Sequence, residues 1–442
     1  MIGDAMPNAT PALAGNLSRI LPRMMRRDPH EPHRAATPLE LFFDLVFVVA
    51  VAAAGKALFT FEEGGNFGVG LLGFAMSFIA IWWAWMNFTW FANSYGTDDW
   101  YYRVLTVVQM AGALVFAAGV PGIANPNNPD FTLGVLGYVL MRIAMIAQWL
   151  RAAYSDPEGR KTALAYAIGI AVVQVYWVCY LFLIPNELKL GMFWLGMVLE
   201  ISVPVIAERF KTTPWHRHHI TERYGLFTII VLGESVLAST NAVVEAAAEA
   251  QKAPELLDNL ILVASTGFVI VACLWWIYFA LPQHELITNL RTGLFWGYGH
   301  YFVFGAAAAV SAGIEVALAV ETHKATLESA AAAAALCIPV AVFVFFVWLL
   351  IVRPQCTTAT NLVMPGAAVL IALSVFAPYS LQITAGILVL LVVLLTVHTV
   401  PKRTKHLVLL LPTEFAGPVG RNDDVPLSSL TQWDIVVSTL WS

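Results

Sequence analysis

The composition of this 442-residue chain excludes an ordinary soluble globular protein. Hydrophobic residues make up 59% of it and charged residues 12%, which is about half the charged fraction of a typical soluble domain. Such a chain could not cover its exterior with polar groups. Its net charge of -5 and the lack of a large basic block also argue against nucleic acid as a partner. The expected partner is the lipid bilayer.

The apolar residues are gathered into blocks that predict membrane-spanning helices. Each block is long enough to cross a hydrocarbon core of roughly 30 Å at roughly 1.5 Å per residue. The predicted fold class is therefore all-α, a polytopic helical membrane protein with about 12 transmembrane helices. The candidate spans are 39–60, 67–91, 104–120, 131–150, 162–184, 191–207, 223–243, 259–280, 294–319, 329–352, 361–377 and 380–399.

Lysine and arginine are unevenly distributed between the two sides of these spans, which predicts the orientation of the chain. Residues 1–38 contain no apolar stretch that could serve as a signal peptide, so the first span is expected to act as an uncleaved signal anchor. With the N-terminus inside, the outer side holds only Lys56, Lys189, Lys252 and Lys324. An even number of spans with both termini cytoplasmic fits this distribution, and an odd number does not.

The two halves of the span region resemble each other. Span one opens LELFFDLVFVVAV and span seven opens TERYGLFTIIVLG, which aligns Glu40 with Glu222, and the next span of each half carries a Trp-Trp pair. Six spans per half would give a parallel repeat about an axis along the membrane normal. General similarity between apolar spans is the alternative. The expected organisation is a cytoplasmic segment, two six-helix halves and a cytoplasmic tail, at 1–38, 39–207, 208–400 and 401–442.

Two long motifs carry a resemblance to a known family. They are Thr37-Pro-Leu-Glu-Leu-Phe-Phe-Asp-Leu-Val-Phe-Val48 and His219-Ile-Thr-Glu-Arg-Tyr-Gly-Leu-Phe-Thr-Ile-Ile-Val-Leu-Gly-Glu-Ser235. With the Trp-rich second span, they resemble the bacterial low temperature requirement protein A (LtrA) family over roughly residues 33 to 400. The resemblance implies a multi-pass protein of the bacterial cytoplasmic (inner) membrane, without a known substrate. The motif residues are Glu40, Phe43, Asp44, Glu222, Arg223, Gly225, Gly233 and Glu234.

Two acidic residues near the start of span one are candidates for a site. Thr37, Pro38 and Glu40 form a capping-box pattern with proline at the first helical position, which gives Glu40 a structural role. Asp44 lies one turn further on the same face, and no cap accounts for it. Either a water-filled vestibule or an arginine would have to satisfy it, so functional and structural roles both stay open.

Glu234 is the sharpest candidate for a functional site. It follows Glu222 by twelve residues, so it lies roughly 18 Å further along the helix, near the bilayer midplane. Gly233 beside it is expected to permit a close backbone approach. Polar residues at this depth are costly and normally face a partner or a cavity. The structural alternative is that Glu234 pairs with an arginine such as Arg142 and joins two helices.

The charges near mid-depth do not balance. Arg142 can neutralise only one of Asp44, Glu200 and Glu234 well, and leaving a central acid ionised costs about 3 kcal/mol. The other acids should be protonated, hydrated or matched by a bound cation, which is the behaviour of a proton or cation site. His300 could titrate near neutral pH and join such a relay. Hydrogen-bonded packing is the alternative for His300.

Aromatic and histidine clusters have simpler explanations. Seven tryptophans fall mainly toward the cytoplasmic side and are expected to form an aromatic belt, although 82, 83 and 85 point in three directions, so at least one must face protein. These are Trp82, Trp83, Trp85, Trp90, Trp100, Trp275 and Trp276. His216, His218 and His219 lack a fourth ligand at a metal-binding spacing, so an interfacial basic patch is expected rather than a metal site. No cofactor is expected.

Two functional hypotheses remain. The first is a proton- or cation-linked transporter or ion-conducting protein, with protons, a cation or a small solute moving along Asp44, Arg142, Glu200, Glu234 and His300. The second is a non-transporting membrane factor, a scaffold or regulator of envelope adaptation at low temperature, whose charges join helices. An oligomer is compatible with both. An intramembrane enzyme is least favoured, because no phosphate-binding loop or nucleophile motif stands out.

Overall fold

The computed structural model describes residues 23–28, 31, 35–125, 129–249 and 257–410. It describes only the backbone of residues 242, 245–247, 249 and 398–410. Within these ranges the chain is helical and contains no strand. Its helices are α1 (Pro38–Glu63), α2 (Phe67–Tyr95), α3 (Trp100–Ile123), α4 (Thr132–Ser155), α5 (Arg160–Leu183), α6 (Asn186–Ala207), α7 (Arg217–Glu249), α8 (Leu257–Phe279), α9 (Leu290–Glu321), α10 (Ser329–Val347), α11 (Thr358–Leu373) and α12 (Ser380–Leu410). A π-helical turn, Trp348–Val352, continues α10, and a 3-10 turn, Ser374–Phe376, continues α11.

Every predicted span coincides with one of these helices. Among the described residues, 11 helices are long and apolar enough to cross a membrane. The prediction of an all-α polytopic membrane protein is therefore confirmed. The remaining helix is α7, which carries Glu222, Arg223 and Glu234 together with several hydroxyl side chains. The twelfth span is still a prediction, and so is the orientation of the chain.

The chain divides into two compact units, Met1–Thr396 and Val397–Ser442. All contacts below lie in the first unit. The expected cytoplasmic tail falls largely outside the described residues, as does most of the expected N-terminal segment.

Helix α9 is the most buried of the candidate spans and contacts α1, α2, α7, α8 and α10. Its centre is a run of small residues, GAAAAVSAG at 305–313, which lets neighbouring backbones approach closely. A Cβ added at Gly313 would collide with the backbone of α10 at Ala335 and Leu336. The protein core therefore forms around α9, with α1, α2 and α7 packed against it.

The same helix pairs pack in the two predicted halves. In the first half α1 packs on α2 and α3, and α3 packs on α4, while in the second half α7 packs on α8 and α9, and α9 packs on α10. The aligned residues nevertheless occupy different environments: Glu40 is buried and Glu222 is exposed. The packing of the first four helices is alike in the two halves, and the six-helix repeat with its superposition is still a prediction.

Candidate functional site

Two acidic side chains on α1 face a histidine and an arginine on α7. Glu40 and Asp44 lie one turn apart on α1, and His219 and Arg223 lie one turn apart on α7, so each pair shares one helix face. All four side chains are buried. With the indole of Trp85 they form what is called here the Arg223 cluster.

The guanidinium of Arg223 binds both carboxylates. It holds Asp44 in a bidentate pair, with Nε donating to Oδ2 at 3.0 Å and Nη2 to Oδ1 at 2.6 Å, and its Nη1 lies 3.2 Å from Oε1 of Glu40. His219 Nε2 lies 3.2 Å from the same Glu40 oxygen. Trp85 Nε1 donates to Asp44 Oδ1 at 2.7 Å.

The cluster combines two carboxyl groups with one guanidinium and one imidazole. Arginine stays protonated in proteins, so Arg223 offsets one of the two carboxylates. The second is offset when a proton resides on His219, Glu40 or Asp44, because an uncompensated charge buried in this position is costly.

Glu40 also has the structural role that the sequence predicts. Thr37 caps α1 through its side-chain oxygen, and the Glu40 carboxylate accepts from the backbone N–H of Thr37 at 2.8 Å. The capping box is thus present with Pro38 in the first turn. The same carboxylate serves both the cap and the ion pair, so the two explanations for Glu40 are compatible.

Arg142 and Glu200 form a second buried cluster. Arg142 Nη2 lies 3.3 Å from Glu200 Oε2 and donates to the hydroxyl of Tyr138. Two indole N–H groups also donate to the Glu200 carboxylate: Trp83 to Oε2 at 3.0 Å and Trp177 to Oε1 at 3.2 Å. This Arg142 cluster joins α2, α4, α5 and α6. The alternative in which Arg142 pairs with Glu234 is therefore wrong, because Glu200 occupies its guanidinium.

The tryptophans of α2 do not form the expected aromatic belt. Trp82, Trp83 and Trp85 are all buried, and two of them donate to the carboxylates just described. A buried indole N–H needs an acceptor, and the two ion pairs supply it. Trp275 and Trp276 are nearly half exposed, as a belt requires.

Glu234 lies on α7 in a different group of charges. Lys56 Nζ is 3.0 Å from Glu315 Oε2, and Glu234 is close enough to Glu315 to interact with it electrostatically. Among the described residues, the Glu234 carboxylate makes no hydrogen bond or ion pair. These three residues are called here the Lys56 group.

Gly233 does not lie at a close backbone approach, which was the role expected of it. In the described part of the chain, no atom lies within 4 Å of the place where a Cβ at Gly233 would stand, so the expected close approach does not occur. The close approach is at Gly225 instead, where a Cβ would lie 3.1 Å from the ring of Phe279 on α8.

The other predicted residues are distributed around these sites. His300 is fully buried, with Nδ1 2.7 Å from the carbonyl oxygen of Trp296 and Nε2 3.1 Å from the hydroxyl of Tyr278. Phe43 is buried against Phe88, with ring centroids 4.1 Å apart. Glu222 is exposed and accepts from a backbone N–H of the segment before α1. The structure does not bring His300 into hydrogen-bond contact with the acidic residues.

Three histidines lie at the start of α7, and they do not form one exposed patch. His216 and His219 are buried, His216 bonding to the backbone of Glu31 and His219 to Glu40. His218 alone among them is exposed, and it stacks on His284 at 4.0 Å. The expected interfacial basic patch is therefore wrong for two of its three members, because ion pairing and backbone contacts bury them.

A cavity of about 260 Å³ lies between the ends of α2, α4 and α6 and the starts of α5 and α9. Glu208 lines it and accepts from the Tyr166 hydroxyl at 2.8 Å and from the backbone N–H of Thr213 at 2.9 Å. Two further lining groups, the Tyr298 hydroxyl and the Trp149 indole N–H, are buried and have no hydrogen-bond partner in the described part of the chain. Aromatic walls with unused polar groups are typical of a site for a small organic solute.

An ion pair joins the start of α3 to the end of α4 at the same end of the protein. Asp99 caps α3 through the backbone N–H of Tyr102 and is bound by Arg151 at the end of α4. Burial acts to raise the pKa of Asp99, but hydrogen bonds from Arg151 and from Tyr102 outweigh it and hold that pKa below its usual value. The pair therefore requires an ionised Asp99.

Several site residues were missed by the sequence analysis. They are Lys56, Trp83, Trp85, His219 as a buried partner, and Glu315. One signal was available: His219 and Arg223 repeat on α7 the i, i+4 spacing of Glu40 and Asp44 on α1, as expected of two helix faces that pair. No local pattern marks Lys56 and Glu315, since they come together only through the packing of α1 on α9.

Known proteins support the assignment to a family. Residues 35–398 match the family described as Bacterial low temperature requirement A protein (LtrA). The chain is also similar to an uncharacterized protein of Rhizobium meliloti (strain 1021), with 25% identity over 278 residues. That alignment covers 60% of this chain and 63% of the relative's length. With most of its length matched, and with both long motifs inside the match, the chain belongs to the bacterial low temperature requirement A (LtrA) family.

Proposed function

We propose that this membrane protein moves protons across the bilayer, alone or coupled to a small solute. The single observation that carries the proposal is the contact of a buried histidine with a buried carboxylate beside an arginine ion pair in the Arg223 cluster. Glu40 and Asp44 face one arginine, and His219 touches Glu40. A buried site that combines carboxyl groups, an imidazole and an arginine is suited to accept and release a proton.

A second group of charged residues lies further along the same helices. Asp44 and Arg223 fix α1 and α7 side by side in the same direction, and Lys56 and Glu234 follow them by twelve and eleven residues. At about 1.5 Å per residue the Lys56 group is roughly 17 Å further across the membrane. It has two carboxyl groups, those of Glu234 and Glu315, and one lysine. The seam of α1, α7 and α9 thus carries proton-binding groups at two depths.

Hydroxyl side chains lie between and beside these two groups. Thr228 lies between them on α7, Ser235 follows Glu234, and Ser311 lies one turn before Glu315 on α9; all three are buried and bond to backbone carbonyl oxygens. Hydroxyls can both donate and accept, so with transient water they provide stepping points for a proton. The cavity of about 260 Å³ beside Glu208 is the proposed place for a coupled solute.

Proton flux into liposomes tests the proposal. The purified protein is reconstituted with an internal pH-sensitive dye, and a potassium gradient with valinomycin sets a negative internal potential. We expect acidification several-fold faster than in protein-free vesicles, and slower again with Glu234→Gln, which removes a carboxylate that is in no ion pair within the described residues. The control is Glu187→Gln, an exposed acid on α6 away from the seam. Equal rates with and without protein, at both polarities, would refute proton movement.

The second candidate is a non-transporting membrane factor. It is favoured by the closed geometry of both buried clusters: the bidentate pair of Asp44 and Arg223 and the pair of Arg142 and Glu200 each fix helices from separate parts of the chain. On this hypothesis the charges specify the fold, and the flux of the wild-type protein equals that of empty vesicles.

A further inference from the structure

A second cavity, of about 550 Å³, lies between the start of α9 and the π-helical turn that ends α10. Its lining includes Arg291 and Arg353, the indole of Trp296, and the apolar side chains of Phe295 and Leu349. None of these residues lines the 260 Å³ cavity or belongs to the Arg223, Arg142 or Lys56 sites. The 550 Å³ cavity is called here the arginine cavity.

The arginine cavity has a positive charge with no counter-charge in the described part of the chain. Arg291 and Arg353 are exposed, and neither forms an ion pair with a described residue. The guanidinium carbon of Arg353 lies over the ring of Trp348, 5.8 Å from the ring centroid. Arg291 is the second residue of α9, where the helix dipole adds partial positive charge. Two guanidinium groups beside one helix start favour an anion.

A buried donor in the same cavity lacks an acceptor. Trp296 is only 3% exposed, and its indole N–H has no partner among the described residues. The indole nitrogen can donate and cannot accept. An anion with several oxygen atoms would satisfy this N–H and both guanidinium groups together.

The apolar wall distinguishes between possible anions. Phe295 is 61% exposed, and Leu349 and Leu350 continue the apolar surface along the π-helical turn. The cavity stands at the ends of two predicted spans, at the level where lipid headgroups lie. A free phosphate ion would leave the apolar wall unused, whereas a phospholipid would place its headgroup on the arginines and its acyl chains along that wall.

We propose that the arginine cavity binds an anionic phospholipid, with the headgroup phosphate held by Arg291, Arg353 and the Trp296 indole. Basic pockets between transmembrane helices on the cytoplasmic side commonly recognise such headgroups, and π-helical turns are frequent at functional sites. This proposal is independent of proton movement, because none of its residues belongs to the Arg223 cluster or the Lys56 group.

Lipid binding to the purified protein tests the proposal. The protein is placed in nanodiscs of phosphatidylcholine containing increasing amounts of phosphatidylglycerol, and its unfolding temperature and its co-purified lipid are measured. We expect phosphatidylglycerol to raise the unfolding temperature and to co-purify with the wild type. Arg291→Gln with Arg353→Gln should weaken retention by roughly tenfold or more. Trp296→Phe, which removes the donor and keeps an apolar ring, should weaken it by a smaller factor.

A matched control removes the same amount of charge elsewhere on the predicted cytoplasmic side. Lys161→Gln with Arg217→Gln changes two exposed cations outside the cavity, and retention should stay within twofold of the wild type. An equal loss of phosphatidylglycerol retention in the control and in the cavity variant would overturn the proposal, because the retention would then depend only on general surface charge. If inorganic phosphate in phosphatidylcholine nanodiscs raises the unfolding temperature as much as phosphatidylglycerol does, the proposal that the ligand is a lipid is overturned.

Discussion

Trp83 and Trp85, two residues apart on α2, donate their indole N–H groups to the carboxylates of two different buried ion pairs. Positions i and i+2 point to different sides of a helix. Trp83 therefore reaches Glu200 in the Arg142 cluster while Trp85 reaches Asp44 in the Arg223 cluster. Helix α2 thus separates the two clusters and contributes to both, which explains why its tryptophans are buried instead of anchoring the protein at the membrane surface.

Replacing either tryptophan by phenylalanine should destabilise its own cluster. Each change removes one hydrogen bond to a charged group and some packing, which costs about 1–3 kcal/mol. Because the two clusters are separate, the costs of Trp83→Phe and Trp85→Phe should add in the double variant. Thermal unfolding in detergent measures this, with Trp275→Phe, at a nearly half-exposed position, as the control. Losses no larger than in the control would contradict the role given to these indoles.

Removing Arg223 should be among the most damaging single changes in the protein. Arg223→Gln leaves Glu40 and Asp44 as two buried acids without their permanent counter-charge, and losing one partner of a buried pair typically costs about 3–5 kcal/mol. Adding Asp44→Asn removes one of the unpaired charges and should restore part of the loss. Unfolding temperatures of the two single variants and the double variant form the required cycle. Additive losses in the double variant would show that the pair is not coupled.

The sequence predicts the helices well because the signal is local. Apolar blocks of membrane-crossing length mark the helices, and the capping box at Thr37 marks the start of α1. The sequence also singles out Asp44 and predicts that either a water-filled vestibule or an arginine satisfies it. It does not identify that arginine as Arg223, since the pairing depends on how α1 packs against a helix 179 residues away in the chain.

Glu234 illustrates the limit of arguments from depth alone. Its depth along α7 and the glycine before it predict a functional site with a close backbone approach, with pairing to an arginine as the alternative. Depth along a helix says nothing about which way a side chain faces, and Glu234 lies half-buried toward Glu315. The pairing of Arg142 with Glu200 follows from four helices meeting, which no spacing within one helix encodes.

Glu234 and Glu200 should therefore respond differently to the same substitution. Glu200→Gln leaves Arg142 buried without its counter-charge, so it should lower stability by about 3–5 kcal/mol. Glu234→Gln breaks no ion pair among the described residues and should change stability by less than about 0.5 kcal/mol. Chemical denaturation of both variants provides the comparison. A large loss with Glu234→Gln would mean that this acid has a structural partner.

The pair of Asp99 and Arg151 should make stability depend on pH under acidic conditions. Burial raises the pKa of Asp99, but the hydrogen bonds from Arg151 and Tyr102 lower it further, so its folded-state pKa is below the unfolded value of about 3.9. A carboxylate whose pKa is lower in the folded state stabilises the fold at pH values above its unfolded-state pKa. This stability is lost as the pH falls through its folded-state pKa. Asp99→Asn should flatten the decline of the unfolding temperature below about pH 4, while the exposed-site control Asp258→Asn should retain the wild-type decline. Identical profiles for Asp99→Asn and wild type would contradict this.

The orientation of the chain is the last prediction, and it rests on the distribution of lysine and arginine. Short basic loops remain cytoplasmic, so the segment between α6 and α7 and residue 402 should be inside, with 245–258 outside. Single cysteines at Thr212, Gln251 and Lys402, placed in a background free of the four native cysteines, report this directly. In intact spheroplasts a membrane-impermeant thiol reagent should label only the cysteine at position 251, and permeabilisation should expose all three. Labelling at position 212 before permeabilisation would invert the orientation and place the Arg223 cluster and the arginine cavity at the outer surface.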